Sequence, residues 1–478
     1  MLYQKIDTRI INTFLLFLIF IFIFYTFTFI KYNFLLFIIA GLFSFFSFFI
    51  LRELLSKNQI SLTNILFVFF YSIGFILGFS KINLNLNDYT GVGWNKIGDF
   101  KFTNMNIIFT IFLSNIFLFA SYLGITIAKK LTYLFGKQII YNKSLKTYNF
   151  NLILFFFTFM TIFIILYMES IGIGKHGLKD EVDLFGPLNG LLRYVKGGIF
   201  FATCFFLYDI IRLHSKSISN YVKIYFFIYF TIFFISNSLI GLSRSGIIFW
   251  SMPLLIPYFI NLGIKNFILH MIIFFFITII FMNVTTEFRA IFDENLQLHS
   301  TLNYYEKSEK LISLIGFNFV DIKKFINFLI IRIEGVKDLM LILQSNSSKE
   351  DFLTYYFSIV DNLEYFTDKI WGFQLDGAYA WGRTLGIFGM LYLAKSIILF
   401  FSISFISFLI LKLLEEYFLS QKYYSLSIYF TITLFVIIWN NWTFQDVSRR
   451  LFIVFLLIFV IKVIKFLIYD QKKITNSI

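Results

Sequence analysis

The sequence predicts an all-α, polytopic integral membrane protein with about twelve transmembrane helices and one large outer loop containing amphipathic helix. Three observations carry that prediction. Of 478 residues, 59% are hydrophobic and only 14% are charged, with a mean hydropathy of +0.80. A soluble chain of this size could not bury so much apolar surface and still present a wettable exterior. Apolar runs of membrane-crossing length recur along most of the chain, and lysines and arginines gather in alternate connections between them.

Taken in order, the apolar runs place spans at 10–30, 34–51, 60–80, 104–128, 150–168, 195–213, 221–240, 246–262, 267–284, 385–411, 425–445 and 451–469. The first run follows a short polar start, lacks a small-residue cleavage signal and is too long for a signal-peptide core, so it reads as a retained helix. An even number of spans puts both termini on one side, and the positive-inside rule makes that side cytoplasmic. One set of connections carries Arg52 and Lys57, then Lys129, Lys130, Lys137, Lys143 and Lys146, then Arg212, Lys216 and Lys223, then Lys265, Lys412 and Lys422. The opposite set is poorer in cations and includes Asp88, Asp99, Glu169, Asp180, Glu181 and Asp183. The net charge of +14 therefore reflects helix flanks rather than affinity for nucleic acid.

Three regions follow: spans one to nine over 1–284, a large outer loop over 285–384, and spans ten to twelve over 385–478. The loop carries 14 of the 27 acidic residues together with 10 basic ones, too much for a passive connection. Within it, Val320–Leu343 has helical periodicity, with Ile322, Phe325, Ile326, Leu329, Ile333, Val336 and Met340 on one face. That pattern fits a helix on the membrane surface or an ordinary packing helix. Cys204 is the single cysteine and lies in an apolar run, so no disulfide framework is present.

The tract from Ile224 to Ile264 contains 41 residues, and Arg244, in "GLSRSG", is its only charge and its midpoint. As one straight helix it would be roughly 60 Å long, about twice the hydrocarbon thickness. It must fold back, with Lys223 and Lys265 at its cytoplasmic ends and Arg244 at the outer tip. Gly241, Ser243, Ser245 and Gly246 would expose backbone N–H groups beside the guanidinium, an arrangement suited to a lipid-linked phosphate or diphosphate. The same arginine could instead reach ordinary lipid headgroups.

Further cations map to the outer side: Arg289, Arg332, Arg383 in "DGAYAWGRTLGIFGM", and Arg449 and Arg450 in an expected turn "QDVSRR". Lys395, counted back from Lys412, falls in the outer leaflet within span ten. Glu334 in "RIEG", Asp376 in "QLDGAYAWG", and Glu169 and His176 in "ESIGIGKHG" are the acids and imidazole near enough in sequence to act as a general base; a solvated charge is the alternative for each. "GIGKHG" lacks P-loop spacing. The four histidines are dispersed and only "KYN" follows the first span, so no metal site or cofactor is expected.

"SLIGLSRSGIIFW", the large outer loop and "DGAYAWGRTLGIFGMLYL" closing it resemble the O-antigen or oligosaccharide repeat-unit polymerases of bacterial inner membranes, with a lesser likeness in "FGPLNGLLRYVKGG". The resemblance implies a glycosyltransferase that lengthens polysaccharide on undecaprenyl diphosphate at the periplasmic face. Its partners would be a lipid-linked donor, a lipid-linked acceptor and a chain-length regulator. It implies outward-facing arginines in function, matching Arg244, Arg289, Arg332 and Arg383 here, and assigns no base. A lipid-oligosaccharide flippase is the competing class, although carriers place charges within spans and here they concentrate outside. Ligation of finished glycan to a lipid core is the same chemistry with another acceptor.

Overall fold

The computed structural model describes residues 8–31, 33–56, 60–83, 103–135, 145–170, 195–240, 395–440 and 444–469, with isolated helical positions in 252–280 and at 336, 339 and 343. Among them there is no β-strand, only an isolated bridge between Leu145 and Tyr469. Seven described helices are long and apolar enough to cross a membrane, and the architecture is that of an all-α membrane protein.

The helices are α1 (Thr8–Thr28), α2 (Phe34–Leu54), α3 (Leu62–Tyr71), α4 (Gly78–Asn83), α5 (Asn104–Phe135), α6 (Thr147–Ser170), α7 (Phe201–Leu213), α8 (Asn220–Ile240), α9 (Ile397–Ser420), α10 (Tyr424–Asn440) and α11 (Phe444–Ile468). A π-helical turn, Ser72–Leu77, joins α3 to α4, so that the span runs on to Ser80. A second, Val195–Phe200, leads into α7. The elements begin where polar residues satisfy first-turn N–H groups. Asn33 Oδ1 accepts from the Leu35 and Leu36 amides at 2.5 and 3.1 Å, and Ser61 Oγ accepts from the Asn64 amide at 3.3 Å. The turn between α9 and α10 is a Schellman closure: the Tyr423 amide bonds the Phe418 carbonyl at 3.1 Å, and the Lys422 amide bonds that of Leu419 at 3.0 Å. Lys422 supplies the left-handed residue, with φ 62°.

Two differences from the predicted spans stand out. Span ten, expected over 385–411, is the helix Ile397–Ser420, which runs past Lys412 instead of ending there. Lys412 does not terminate it because two glutamates one turn further on neutralise the ammonium. The expected turn over "QDVSRR" is instead the start of α11, so Arg449 and Arg450 have helical backbone. Spans eight and nine and the outer loop lie largely outside the described residues. Of Val320–Leu343, the described positions 336, 339 and 343 are helical, and Val336 and Leu339 are buried.

The chain divides into two compact units. Unit 1 comprises 1–136, 327–417 and 431–449; unit 2 comprises 137–326, 418–430 and 450–478. Unit 1 is centred on aromatic rings. Phe67 meets Phe408 at 5.0 Å between centroids, Phe70 meets Phe435 at 5.0 Å, and Trp439, only 2% exposed, stacks on Phe435 at 5.9 Å. Unit 2 packs Phe201 on Phe233 at 4.5 Å and Phe205 on Tyr429 at 5.1 Å, with Cys204 buried as a free thiol. On α1, α6 and α11 whole faces of large apolar side chains stay exposed, among them Phe20 (68%), Phe155 (67%) and Phe455 (69%). Water would not tolerate such faces, whereas lipid chains match them.

Close helix contact in unit 1 depends on Gly124 of α5, where an added Cβ would collide with the Phe405 carbonyl of α9. At Gly198 of unit 2 an added Cβ would meet Ile453 Cδ1 at 3.0 Å, a flexible side-chain end. Gly124→Ala is therefore expected to cost about 1–3 kcal/mol, the usual range for overpacking. Gly198→Ala should cost less, and thermal unfolding of both variants in detergent compares them.

Candidate functional site

Among the described residues, the charged constellations built by several elements lie at helix N-termini. In unit 1 the first-turn amides of α3 point at Glu415, near the end of α9. Glu415 Oε1 accepts from the Leu62 amide at 2.8 Å, and Oε2 from the Thr63 amide at 3.4 Å. With Ser61 taking the Asn64 amide and the Ser61 carbonyl taking that of Ile65, the whole first turn is satisfied. Asn64 Nδ2 also donates to the Leu54 carbonyl at 2.9 Å, which ties the end of α2 to the start of α3.

Glu415 is fully buried, and Lys412, 1% exposed, bonds its Oε2 at 3.0 Å and Glu416 Oε1 at 2.6 Å. The geometry follows from helical spacing, since residues three and four positions apart share a face. Lys129 of α5 lies within electrostatic reach of Lys412, Glu416 and Glu53.

Unit 2 repeats the device. Asp209, near the end of α7, is fully buried and accepts from the Ser425 and Leu426 amides of α10 at 3.2 and 3.1 Å. Arg212, three residues on, sits 3.3 Å from Asp209, donates to the Lys422 carbonyl at 2.8 Å and lies 4.3 Å from the Tyr424 ring centre. In both units a carboxylate late in one helix grips two consecutive amides of another, and a cation one turn away on the same helix completes the charge. Both oxygens of each carboxylate are engaged in hydrogen bonds to backbone amides, so these groups position helices.

A second polar set in unit 1 runs between α2, α3 and α5. Ser47 Oγ donates to Asn115 Oδ1 at 2.7 Å, Asn115 Nδ2 donates to the Ile111 carbonyl at 2.9 Å, and Tyr71 OH donates to the Ser114 carbonyl at 3.4 Å. The depression they line with Tyr25 and Ser44 is closely filled, and the set ties these helices together.

At the edge of unit 2, His214 Nε2 lies 3.0 Å from Tyr469 OH. Burial holds the imidazole below its ordinary value and pushes the Tyr469 phenol up to about 12.

The expected site residues are placed as follows. His176, Arg244, Arg289, Arg332, Glu334, Asp376 and Arg383 lie outside the described residues, as does Glu169's side chain. Arg449 and Arg450 are described by helical backbone alone. Lys395 is exposed two residues before α9, with φ 50°. The Ser396 carbonyl and hydroxyl accept from the Phe400 and Leu399 amides at 3.0 and 3.4 Å, which sets the start of α9 there. Asp209, Glu415 and the inward role of Lys412 were not anticipated. Their signal in the sequence is an acid and a cation three residues apart inside an apolar run, in "DIIR" and "KLLE". Among the described residues no group of three or more His, Cys, Asp or Glu is placed to hold a metal ion. No family profile, curated protein or solved structure matches the chain.

Removing one member of a buried pair leaves an uncompensated charge, so Glu415→Ala is expected to destabilise by about 3–5 kcal/mol. Glu415→Gln combined with Lys412→Met should recover part of that loss, as read by unfolding in detergent; an unstable double variant with an intact Glu415→Ala protein would reverse the assignment. For His214 the folded value is depressed below 6.5. The stability of the neutral ring is thus fully present above about 6.5 and is lost as pH falls through the lowered folded value. The unfolding midpoint should drop between pH 7 and pH 5, and His214→Gln should flatten that slope.

Proposed function

We propose that the chain is an integral-membrane glycosyltransferase of the polysaccharide-polymerase kind. It would work on lipid-diphosphate-linked oligosaccharides at the outer face of a bacterial inner membrane, with both termini cytoplasmic. The observation that carries this reading is Arg244, the only charge in 41 residues and the midpoint of a tract too long to cross a bilayer once. A guanidinium held at that turn suits a diphosphate, which offers paired oxygens to its fork. Arg289, Arg332, Arg383, Arg449 and Arg450 are the further cations on the same predicted side, and Lys395 stands at the entrance of α9.

In the proposed reaction an acceptor sugar hydroxyl attacks the anomeric carbon of the donor glycan. The new glycosidic C–O bond forms as the bond to diphosphate breaks, and the lipid diphosphate leaves. The hydroxyl proton passes to a base, for which Glu334, Asp376 and His176 are the candidates. Because the donor already carries a good leaving group, positioning two lipid-anchored glycans and stabilising the departing anion are the main demands on the protein. Arginines can meet the second without a divalent cation, and the long apolar helices supply the membrane setting that two lipid-anchored substrates require.

Arg244→Ala is expected to abolish long-chain polysaccharide while single-repeat products persist, with Arg244→Lys retaining a reduced fraction. Glycan length is read by gel electrophoresis of surface polysaccharide from cells in which the variant protein is present at wild-type level. Normal chain lengths in the alanine variant would refute a diphosphate site at this residue. In a deletion strain, one repeat on the core supports polymerisation. Unattached lipid-linked polymer would indicate a ligase, and repeat units stranded on the cytoplasmic face a flippase.

A further inference from the structure

Each clamp has hydrogen-bonding capacity left over on both sides of one carboxylate oxygen. In unit 1, Glu415 Oε2 takes the Thr63 amide at 3.4 Å and Lys412 Nζ at 3.0 Å. In unit 2, Asp209 Oδ1 takes the Ser425 amide at 3.2 Å and Arg212 Nη2 at 3.3 Å. The other oxygen of each carboxylate takes the amide of a leucine, Leu62 or Leu426. On the cation's side the amide therefore belongs to a hydroxyl-bearing residue in both units, and that residue is the second of its helix.

The two hydroxyls are buried and unmatched. Thr63 and Ser425 are each 0% exposed, and neither Thr63 Oγ1 nor Ser425 Oγ has a hydrogen-bond partner among the described residues. The Ser425 hydroxyl faces Asp209 without reaching bonding geometry. The cations likewise carry donors that the protein does not use. Arg212 Nε is buried without a partner, although the side chain as a whole is 32% exposed. Lys412, 1% exposed, has three N–H donors, of which Glu415 and Glu416 take two. A buried polar group left unmatched forfeits the hydrogen bonds it made in water and gains none in return.

Whatever fills these positions must accept from the cation, bond the hydroxyl and lie beside a carboxylate. A metal ion would face the ammonium or guanidinium, and an anion would face the carboxylate, so a ligand of either charge meets repulsion. A neutral molecule that both donates and accepts suits all three groups. Between helices packed this closely, the smallest such molecule is water.

We propose that each clamp is completed by one buried water, held between Thr63 Oγ1 and Lys412 Nζ in unit 1 and between Ser425 Oγ and Arg212 Nε in unit 2. Each water accepts from the cation and bonds the hydroxyl, which closes the network of carboxylate, amides and cation. Thr63 and Ser425 thereby become positioning residues of the clamps. Neither water site depends on the glycosyltransferase reading.

The test is a cryo-electron-microscopy structure of the full-length protein in lipid nanodiscs, at a resolution that shows ordered water. One peak is expected within about 2.5–3.2 Å of Thr63 Oγ1 and Lys412 Nζ, and another within the same reach of Ser425 Oγ and Arg212 Nε. Ser425→Ala should remove the second peak and keep the first, and Thr63→Val should do the reverse. Absence of either peak, or hydroxyls turned directly onto Glu415 and Asp209, would overturn the proposal. Unfolding in detergent gives a second reading. Because each substitution removes a hydrogen bond from the network, Ser425→Ala and Thr63→Val should each shift the unfolding equilibrium about five-fold or more toward the unfolded chain. Loss of a hydroxyl that binds nothing would leave that equilibrium unchanged or favour the folded protein, and this result too would overturn the proposal. Where a variant fails to fold, the two peaks in the wild-type map decide.

Discussion

A buried carboxylate held on the first amides of a helix is the interaction on which the described architecture depends. A helix N-terminus carries several N–H groups without intrahelical partners, and burying them unmatched is costly. Glu415 and Asp209 meet two of these donors each and bring the negative charge that the helix dipole favours at that end. The arrangement is self-consistent in the other direction too. Neither carboxylate could remain buried without those amides and the cations Lys412 and Arg212, because desolvation of an ion outweighs a single contact. Each clamp therefore sets where a second helix begins and how it meets the first, in unit 1 between α9 and α3 and in unit 2 between α7 and α10.

Apolar attraction cannot supply that definition in a bilayer. Leucine and phenylalanine gain little by leaving lipid chains for one another, so helix partners must be chosen by close packing and polar contacts. In unit 1 the choice is made by Gly124 against the Phe405 carbonyl, by Ser47 with Asn115, and by rings that fill the space around Trp439. The faces left over on α1, α6 and α11 remain greasy because their solvent is lipid. Charge is then sorted by depth. Where it is buried it is matched, as Lys412 is by Glu415 and Glu416.

Much of the helical layout was legible from hydropathy, since α1, α2, α6 and α8 coincide with apolar runs to within a few residues and α5 begins with one but runs on past it. The errors came from treating charge as a boundary. Lys412 reads as the end of a span, yet in the fold it is interior, because glutamates three and four residues later share its face. "QDVSRR" reads as a turn from its polarity, yet it is the first part of α11. The site residues proposed from the sequence, Arg244 foremost, rest on length arithmetic and charge placement. The clamps were missed because the partners of Asp209 and Glu415 are backbone amides more than 200 and 350 positions away.

By itself the sequence determined the class of the protein and the approximate position of most helices. Hydropathy and length act locally, and a bilayer demands about 20 apolar residues wherever it is crossed. It also determined that Arg244 sits alone in an apolar tract. Only the tertiary structure decided that some of its charges are structural. Asp209 and Glu415 look like any other acids until their distant amide partners arrive, and Lys412 looks like an anchor until α9 closes around it. Burial and pairing are properties of the assembled helices, and no local pattern in the chain encodes them.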